Sequence, residues 1–370
     1  MHTARFIRTG TPWTWKIFFL LAAVVFFFFS GSVQAQEEGK KSDVPGPTVR
    51  LYFENDYFGN EDQDYTNAVQ IRVISPDLRS LAENGFLPEW MGNLLGHVPF
   101  PGYRGAPQYN ISAGFGQQIY TPEHTDRSSL QKDDRPYAGY LYGLVALHAK
   151  RYNRLDTIEL AGGVIGPSAL GKQAQNEAHR LFSVDTAKGW QHQLRDEPAL
   201  MLTWSRIWRL NAEAEPGGWG WDILPQVNVS VGTPYTRAGL GSEVRFGWNL
   251  PPDYGSSIIR PGAGITRPQE EGVPGSHAHS SSDSFWDNFS LYGFLGAEGY
   301  AVAWDSFLDG NLWKDSHSVD KFPLAGQLSG GVAVLLYDFQ ITYTHVYSAK
   351  EFHGQGKGHN YGSIAVSYRF

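Results

Sequence analysis

The sequence predicts an all-β protein: a 12-stranded antiparallel transmembrane β-barrel with a short helix in an extracellular loop. Apolar and polar residues alternate through 12 segments, 14% of the residues are aromatic, and an alternating segment ends at the C-terminal phenylalanine. Each segment has about the ten residues that a tilted membrane strand needs. A mean hydropathy of -0.34 and a single long apolar run exclude a bundle of transmembrane helices.

The apolar run lies at the N-terminus and has the features of an export signal. Arg5, Arg8 and Lys16 precede the uncharged stretch from Ile17 to Phe29, and the small-residue pattern Val33-Gln34-Ala35 follows it. This arrangement is typical of a cleaved signal peptide, although an uncleaved N-terminal anchor is the alternative. The sequence therefore divides into a signal peptide at 1–35, a flexible periplasmic leader at 36–48, and an outer-membrane β-barrel with active-site loops at 49–370.

Charge and composition exclude several classes of function. Loss of the signal peptide moves the formal net charge from -7 to -10, and an acidic exported protein binds the phosphate backbone poorly, so we expect no nucleic acid partner. The chain has no cysteine, which excludes disulfides, thiolate metal sites and cysteine nucleophiles.

Apolar and polar residues alternate from the first strand onward. Between 49 and 54, apolar odd positions alternate with Arg50, Tyr52 and Glu54. The other predicted strands lie at 69–73, 110–120, 138–149, 158–164, 198–210, 223–231, 241–249, 288–307, 325–336, 337–347 and 361–370. The apolar face suits lipid, and the other face suits a lumen of Arg, Gln, Glu and His. A soluble sandwich or soluble barrel is the alternative, since it shows the same alternation.

The last strand favours the membrane barrel. Ile364, Val366, Tyr368 and Phe370 share one face. Bacterial outer-membrane barrels present such a C-terminal strand to the barrel assembly machinery, which we therefore expect as a partner during biogenesis, with outer membrane lipids around the mature barrel.

An even number of strands puts both termini on the periplasmic side. The connections 57–64, 121–137 and 166–197 are then extracellular. Periplasmic turns are expected to be short, and the predicted turn at 150–155 is short. The segments 76–109 and 250–287 are long and conflict with this expectation.

The first extracellular segment is rich in oxygen donors. Asn55 and Asp56 end a strand, and Asp, Glu and Asn crowd the stretch from Asn60 to Asn67. Carboxylate and amide oxygens suit a hard cation such as calcium. A solvated acidic hairpin tip is the alternative.

The second and third segments supply candidates for chemistry. Arg127 could stabilise an oxyanion or bind a phosphate, or it could simply pair with a neighbouring acid. Ser168 is a candidate N-cap for a helix, on which Gln175 and His179 are four residues apart and share a face. A histidine can accept a proton from water near neutral pH, although a surface histidine without a function is the alternative.

The order of these motifs resembles the outer-membrane lipid A 3'-O-deacylase family. The matching segments are Glu54-Asn55-Asp56, Asp64-Tyr65-Thr66-Asn67, the stretch 117–122, Asp133 to Gly139, Gly163 to Arg180 and Gly189 to Leu194. The resemblance implies a 12-stranded barrel with a calcium-dependent site near the external face of the outer membrane. It also implies hydrolysis of the ester that holds an acyloxyacyl chain on lipid A.

The resemblance assigns roles to seven residues of this chain. The metal ligands would be Asn55, Asp56 and Thr66, the substrate or oxyanion contacts Arg127 and Thr66, and the catalytic residues His179, Gln175, Asp185 and Arg127. Arg127 stands where the family has a lysine, and Asp185 stands where it has a glutamate. Both departures keep the charge and change the reach of the side chain.

Together, the residues and the resemblance predict attack by water without an acyl-enzyme. His179 would be the general base, oriented by Asp185 or Gln175, while calcium polarises the ester carbonyl. The expected substrate is lipid A or lipopolysaccharide in the outer leaflet, reached from the extracellular side. An outer-membrane phospholipase and a non-enzymatic barrel, either a pore or a structural protein, are the alternatives.

Overall fold

Twelve antiparallel strands form a closed barrel, in which each strand pairs with its neighbours in sequence and the first pairs with the last. The computed structural model describes residues 46–56, 64–81, 89–98, 100, 107–182, 185–211, 217–255, 259, 265 and 285–370. The strands are β1 Thr48–Asn55, β2 Asp64–Ile74, β3 Gln108–Thr121, β4 Ala138–Arg151, β5 Arg154–Ile165, β6 Glu197–Trp208, β7 Trp219–Gly232, β8 Tyr235–Trp248, β9 Phe289–Asp305, β10 Leu324–Leu336, β11 Phe339–Ser348 and β12 His359–Arg369. The fold class and the strand count predicted from the alternation are confirmed.

Short helical elements join some of the strands. The helices are α1 Glu89–Gly96, α2 Gly171–Phe182 and α3 Ser306–Asp309, and the 3-10 turns are Pro167–Ala169, Trp190–His192 and Phe285–Asp287. Helix α2 is the helix that the sequence predicts between β5 and β6. Among the described residues, no helix combines the length and hydropathy needed to cross a bilayer.

The alternation separates an apolar outside from a polar lumen. Val145 on β4, Leu160 on β5 and Leu202 on β6 are register neighbours, and all three are exposed on the outside of the barrel. The buried positions between them carry polar side chains such as His148 and Glu159. This is the outward apolar face and polar interior expected of a membrane barrel.

Many buried polar groups in the lumen have a partner. Arg72 Nη2 lies 2.8 Å from Glu159 Oε2. The two ring nitrogens of His148 lie 2.9 Å from Ser112 Oγ and 2.9 Å from Thr157 Oγ1. Such pairing offsets the cost of removing these polar groups from water.

The long connections 75–107 and 249–288 lie at the barrel end that carries the two termini. The expectation of short turns at this end is therefore wrong for them, although the strand count is as predicted. Part of the second connection enters the lumen: Ile265 packs with Tyr254 and Leu224, and the Ile259 backbone N–H donates to Glu54 Oε1 at 2.8 Å. The described residues Ile259 and Ile265 of this connection therefore contact groups inside the barrel.

The N-terminal part of the described chain is tied to the last residue. Strand β1 begins at Thr48, one residue before the predicted start of the barrel. The Gly46 N–H donates to the Phe370 carbonyl at 2.9 Å, and the Phe370 N–H donates to the Pro47 carbonyl at 3.0 Å. The end of the predicted leader thus belongs to the barrel, while the predicted signal peptide and the rest of the leader lie outside the described residues.

Candidate functional site

Helix α2 begins against the outward face of β4. Gly139 points outward from this strand, and a Cβ atom placed on it would lie 3.1 Å from the Gly171 backbone nitrogen and 3.2 Å from the Ala169 Cβ. Gln117 on β3 adds a hydrogen bond from its Nε2 to the Ala169 carbonyl at 2.6 Å. Glycine at position 139 therefore lets the helix start in direct contact with the barrel wall.

Two aromatic rings cover the wall beside the helix. Ile119 on β3 also points outward but is only 2% exposed, because it packs in one cluster with Tyr137, Ala187 and Trp190. The Tyr137 and Trp190 ring centroids are 4.9 Å apart, and Ala174 of α2 packs on the same cluster. The loop between β5 and β6 thus folds back over the outside of the barrel.

Gln175 is held by this aromatic cluster. Its side chain is 2% exposed, although glutamine is a polar residue. The Trp190 indole Nε1 donates to Gln175 Oε1 at 2.8 Å. The Gln175 Nε2 atom is buried and has no hydrogen-bond partner among the described residues.

His179 lies one helical turn after Gln175 and is 8% exposed. Its Nδ1 atom is 2.6 Å from the main-chain carbonyl oxygen of Asp185. A carbonyl oxygen can only accept, so Nδ1 carries the proton in this contact and the lone pair of the neutral ring is on Nε2. The main chain thereby selects the tautomer that a general base requires.

Asp185 takes part in this contact through its backbone, and its side chain is exposed. The sequence-based expectation is that the side chain of Asp185 or of Gln175 orients His179. A main-chain contact does not depend on side-chain length, which removes the difficulty posed by an aspartate in place of the family's glutamate.

The strand register places Asn55 on the same outward surface as α2. Asn55 pairs with Asn67, Asn67 pairs with Ile119, and Ile119 pairs with Gly139. Directly paired residues point to the same side of a sheet, and neighbouring strands are about 4.8 Å apart. Asn55 is therefore two strands from the residue that Trp190 covers.

The other two predicted metal ligands, Asp56 and Thr66, are sequence neighbours of the paired residues Asn55 and Asn67. Asp56 follows Asn55 and is 2% exposed. The pairing of β2 with β3 shifts between Tyr65 and Asn67, which makes Thr66 a bulge residue, and bulges often occur beside active sites. The Thr66 side chain and the acidic stretch 57–63 lie outside the described residues.

Oxygen donors at Asn55 and Asp56 fit the chemistry of calcium, which prefers carboxylate and amide oxygens. In the part of the chain that the structure describes, no group of three or more His, Cys, Asp or Glu side chains is arranged to hold a metal ion.

Arg127 is exposed in the loop between β3 and β4. It lines a cleft formed by residues 123–134 of that loop and 354–357 of the loop before β12, and neither Gln175 nor His179 lines this cleft. The loop does contact the segment that carries Trp190, because the Lys188 N–H donates to the Thr125 carbonyl at 2.9 Å. The structure thus brings Gln175, His179 and Asp185 together and places Arg127 in an adjoining cleft.

Ser168 does not cap α2, so that prediction is wrong. It lies in the 3-10 turn Pro167–Ala169, and its hydroxyl donates to Asp196 Oδ2 at 2.9 Å. The helix instead begins at Gly171, after Leu170 adopts a left-handed conformation with φ 60. Ser168 therefore ties the start of the loop to the residue before β6.

Trp190 is the functional candidate that reasoning from residue types missed. In the sequence it belongs to the matching segment Gly189 to Leu194, to which the resemblance assigns no role. A large aromatic residue inside a polar loop needs a surface to bury it, and this signal predicts a loop that folds back on the barrel.

The model of the family described as "Outer membrane protein LpxR" matches residues 19–370. The structure of LpxR from Salmonella typhimurium superposes with a TM-score of 0.65 and 16% identity, and the match covers 87% of this chain and 100% of that chain. The beta domain of the Bordetella autotransporter BrkA gives a TM-score of 0.41 and 10% identity over 88% of this chain and 100% of that chain. The search of curated proteins finds no match.

Proposed function

The chain belongs to the LpxR family of outer membrane proteins, and we propose that it is a calcium-dependent esterase that removes the ester-linked acyloxyacyl chain at the 3'-position of lipid A. The observation that carries the proposal is the 2.6 Å contact between His179 Nδ1 and the Asp185 carbonyl. This contact leaves the basic lone pair on Nε2 of a nearly buried imidazole.

In the proposed reaction, His179 Nε2 takes a proton from a water molecule as the water oxygen attacks the ester carbonyl carbon. The Asp185 carbonyl accepts from Nδ1–H throughout and stabilises the charged ring. The tetrahedral intermediate then collapses with cleavage of the ester C–O bond, and His179 returns the proton to the departing lipid A oxygen. The products are a lipid A hydroxyl group and a free acyloxyacyl acid.

The other residues of the site would bind and orient. Gln175 lies on the same helical face as His179 and helps to orient the reacting groups. Arg127 lies in the adjoining cleft, where its guanidinium suits a lipid A phosphate or a developing oxyanion. A calcium ion held by oxygens of Asn55, Asp56 and Thr66 would supply a positive charge that polarises the ester carbonyl.

The position of the site supports a lipid substrate. Helix α2 lies on the outward face of β3 and β4, at the barrel end opposite the termini. If the termini are periplasmic, as in bacterial barrels with an even strand number, this end is extracellular and meets lipid A of lipopolysaccharide in the outer leaflet. The alternating C-terminal strand, with Tyr368 and Phe370 exposed on one face, fits recognition by the barrel assembly machinery during biogenesis.

Mass spectrometry of membrane lipids tests the proposal. Lipid A and phospholipids would be extracted from cells that express the wild-type chain, the His179→Ala variant or no such protein. We expect only the wild-type chain to yield lipid A that lacks the 3'-linked acyloxyacyl chain. Lysophospholipid with intact lipid A would instead indicate a phospholipase, and unchanged lipids would indicate a non-enzymatic barrel.

A further inference from the structure

The Trp190 indole determines which way the Gln175 amide faces. Trp190 is 1% exposed, and its Nε1 lies 2.8 Å from Gln175 Oε1. The oxygen and nitrogen of a glutamine amide are often hard to assign from shape alone. An indole N–H can only donate, so the amide oxygen must face Trp190 and the amide NH₂ must face away.

The NH₂ group of Gln175 faces away from Trp190 and has no hydrogen-bond acceptor among the described residues. Its Nε2 is buried and has no partner among the described residues, in a side chain that is 2% exposed. A buried donor without an acceptor is unfavourable, and the cost is removed if an oxygen of a bound molecule accepts from it. Gln175 precedes His179 by four residues, so the two side chains share one face of α2.

We infer that Trp190 is a positioning residue: it holds the Gln175 amide so that the Nε2–H donates to the ester carbonyl oxygen as negative charge develops there. This inference rests on the proposed function. A donor that is oriented before the reaction stabilises the oxyanion without reorganisation. Trp190 itself touches neither the water nor the ester.

Packing holds the Trp190 indole in place. Its ring lies 4.9 Å from the Tyr137 ring, and a Cβ atom on Gly171 would lie 2.9 Å from Trp190 Cη2. The ring is therefore held between the start of α2 and the loop that precedes β4. A phenylalanine would keep most of this packing and remove only the N–H donor.

The test compares kcat and KM of purified, refolded barrels on lipid A in detergent micelles. For Trp190→Phe we expect kcat to fall about tenfold with KM unchanged, because an unanchored amide can turn its oxygen toward the ester. For Gln175→Ala we expect a larger fall. In the double variant, kcat should equal that of Gln175→Ala, since Trp190 acts only through Gln175.

Trp304→Phe is the matched control. Its indole Nε1 also donates, to the Thr233 carbonyl at 2.9 Å, at the same barrel end, and we expect its kcat to be unchanged. Multiplicative losses in the double variant, or wild-type kcat in Trp190→Phe, would overturn the inference.

If the Trp190→Phe variant does not fold, the Gln175→Glu variant tests whether the Gln175 N–H donor is needed. A glutamate still accepts from the Trp190 N–H but offers no N–H donor to the ester, so kcat should fall as in Gln175→Ala while heat-modifiable migration on gels is retained. Wild-type kcat in this variant overturns the inference and leaves the proposed function intact. No hydrolysis by the wild-type protein itself overturns both.

Discussion

Gly139 of β4 and Gly171 of α2 lie so close that a Cβ atom on Gly139 would be 3.1 Å from the Gly171 backbone nitrogen. The helix that carries Gln175 and His179 thus begins in contact with the barrel wall. Strand β4 is held on both sides by its neighbours, so the wall provides a rigid support for the start of the helix.

Replacement of Gly139 by leucine should move the helix and leave the barrel closed. The new side chain would overlap Gly171 and Ala169, and a shift of about 1 Å can lower a rate about 100-fold. We expect kcat/KM on lipid A to fall by about that factor, with unchanged heat-modifiable migration. Gly96→Ala is the control, because Gly96 ends α1 at the opposite end of the barrel and a Cβ atom there meets nothing within 4 Å. Full activity of Gly139→Leu would show that the helix position is unimportant.

His179→Ala should abolish most of the activity. Loss of a general base typically lowers kcat by about 100-fold to 10,000-fold, and a loop histidine contributes little to the closed barrel. Turnover of lipid A and gel migration measure the two effects separately. The exposed His353, on the same barrel end, supplies the control His353→Ala, which should keep wild-type activity. An active His179→Ala variant would remove this residue from the mechanism.

Asp185→Asn should have a small effect. The contact with His179 uses the Asp185 carbonyl, which the substitution retains, so we expect kcat to stay within about threefold of wild type. Steady-state kinetics on lipid A measure this. A loss of about 100-fold or more would show that the carboxylate takes part.

Removal of divalent cations should stop the reaction. EDTA is expected to abolish hydrolysis, and calcium should restore it better than zinc because the candidate ligands are oxygens. Asp56→Asn should raise the calcium concentration needed for half-maximal activity. Asp320→Asn, at a fully accessible carboxylate (86% exposed) of the same barrel end, should leave that concentration unchanged. Activity that resists chelation would contradict a calcium site.

The stability of the barrel should depend on the buried ion pairs of the lumen. Asp222 and Arg245 are 0% exposed and 2.7 Å apart. Removing one partner of such a pair leaves a buried charge, so Asp222→Ala should lower the free energy of unfolding by about 3–5 kcal/mol. Glu177→Ala breaks a pair in which Arg180 is 65% exposed, and should cost about 0–1 kcal/mol. Denaturant unfolding in lipid vesicles measures both, and equal losses would contradict the argument.

The strands could be predicted from the sequence because the outside of the barrel favours apolar residues and the lumen favours polar ones. Residues of the two kinds therefore alternate along every strand. Leu160 faces outward and Glu159 faces inward, and the other strands show the same alternation. The contact of Ile259 with Glu54 inside the barrel could not be predicted, since the two residues lie far apart in sequence.

Some of the geometry of the candidate site could also be predicted from the sequence. The shared face of Gln175 and His179 follows from helical spacing alone. The contact of His179 with the Asp185 carbonyl does not, because every residue has a carbonyl and only the fold decides which one is near. The role of Trp190 depends in the same way on the glycines that let the loop approach β4.

The outward placement of α2 bears on how the rate should scale with lipid composition. A site on the outer wall meets its substrate by lateral diffusion within the leaflet, so the frequency of encounter follows the mole fraction of lipid A in the surface rather than its bulk concentration. Adding inert detergent to mixed micelles at constant total lipid A should therefore slow the enzyme, which is the behaviour called surface dilution.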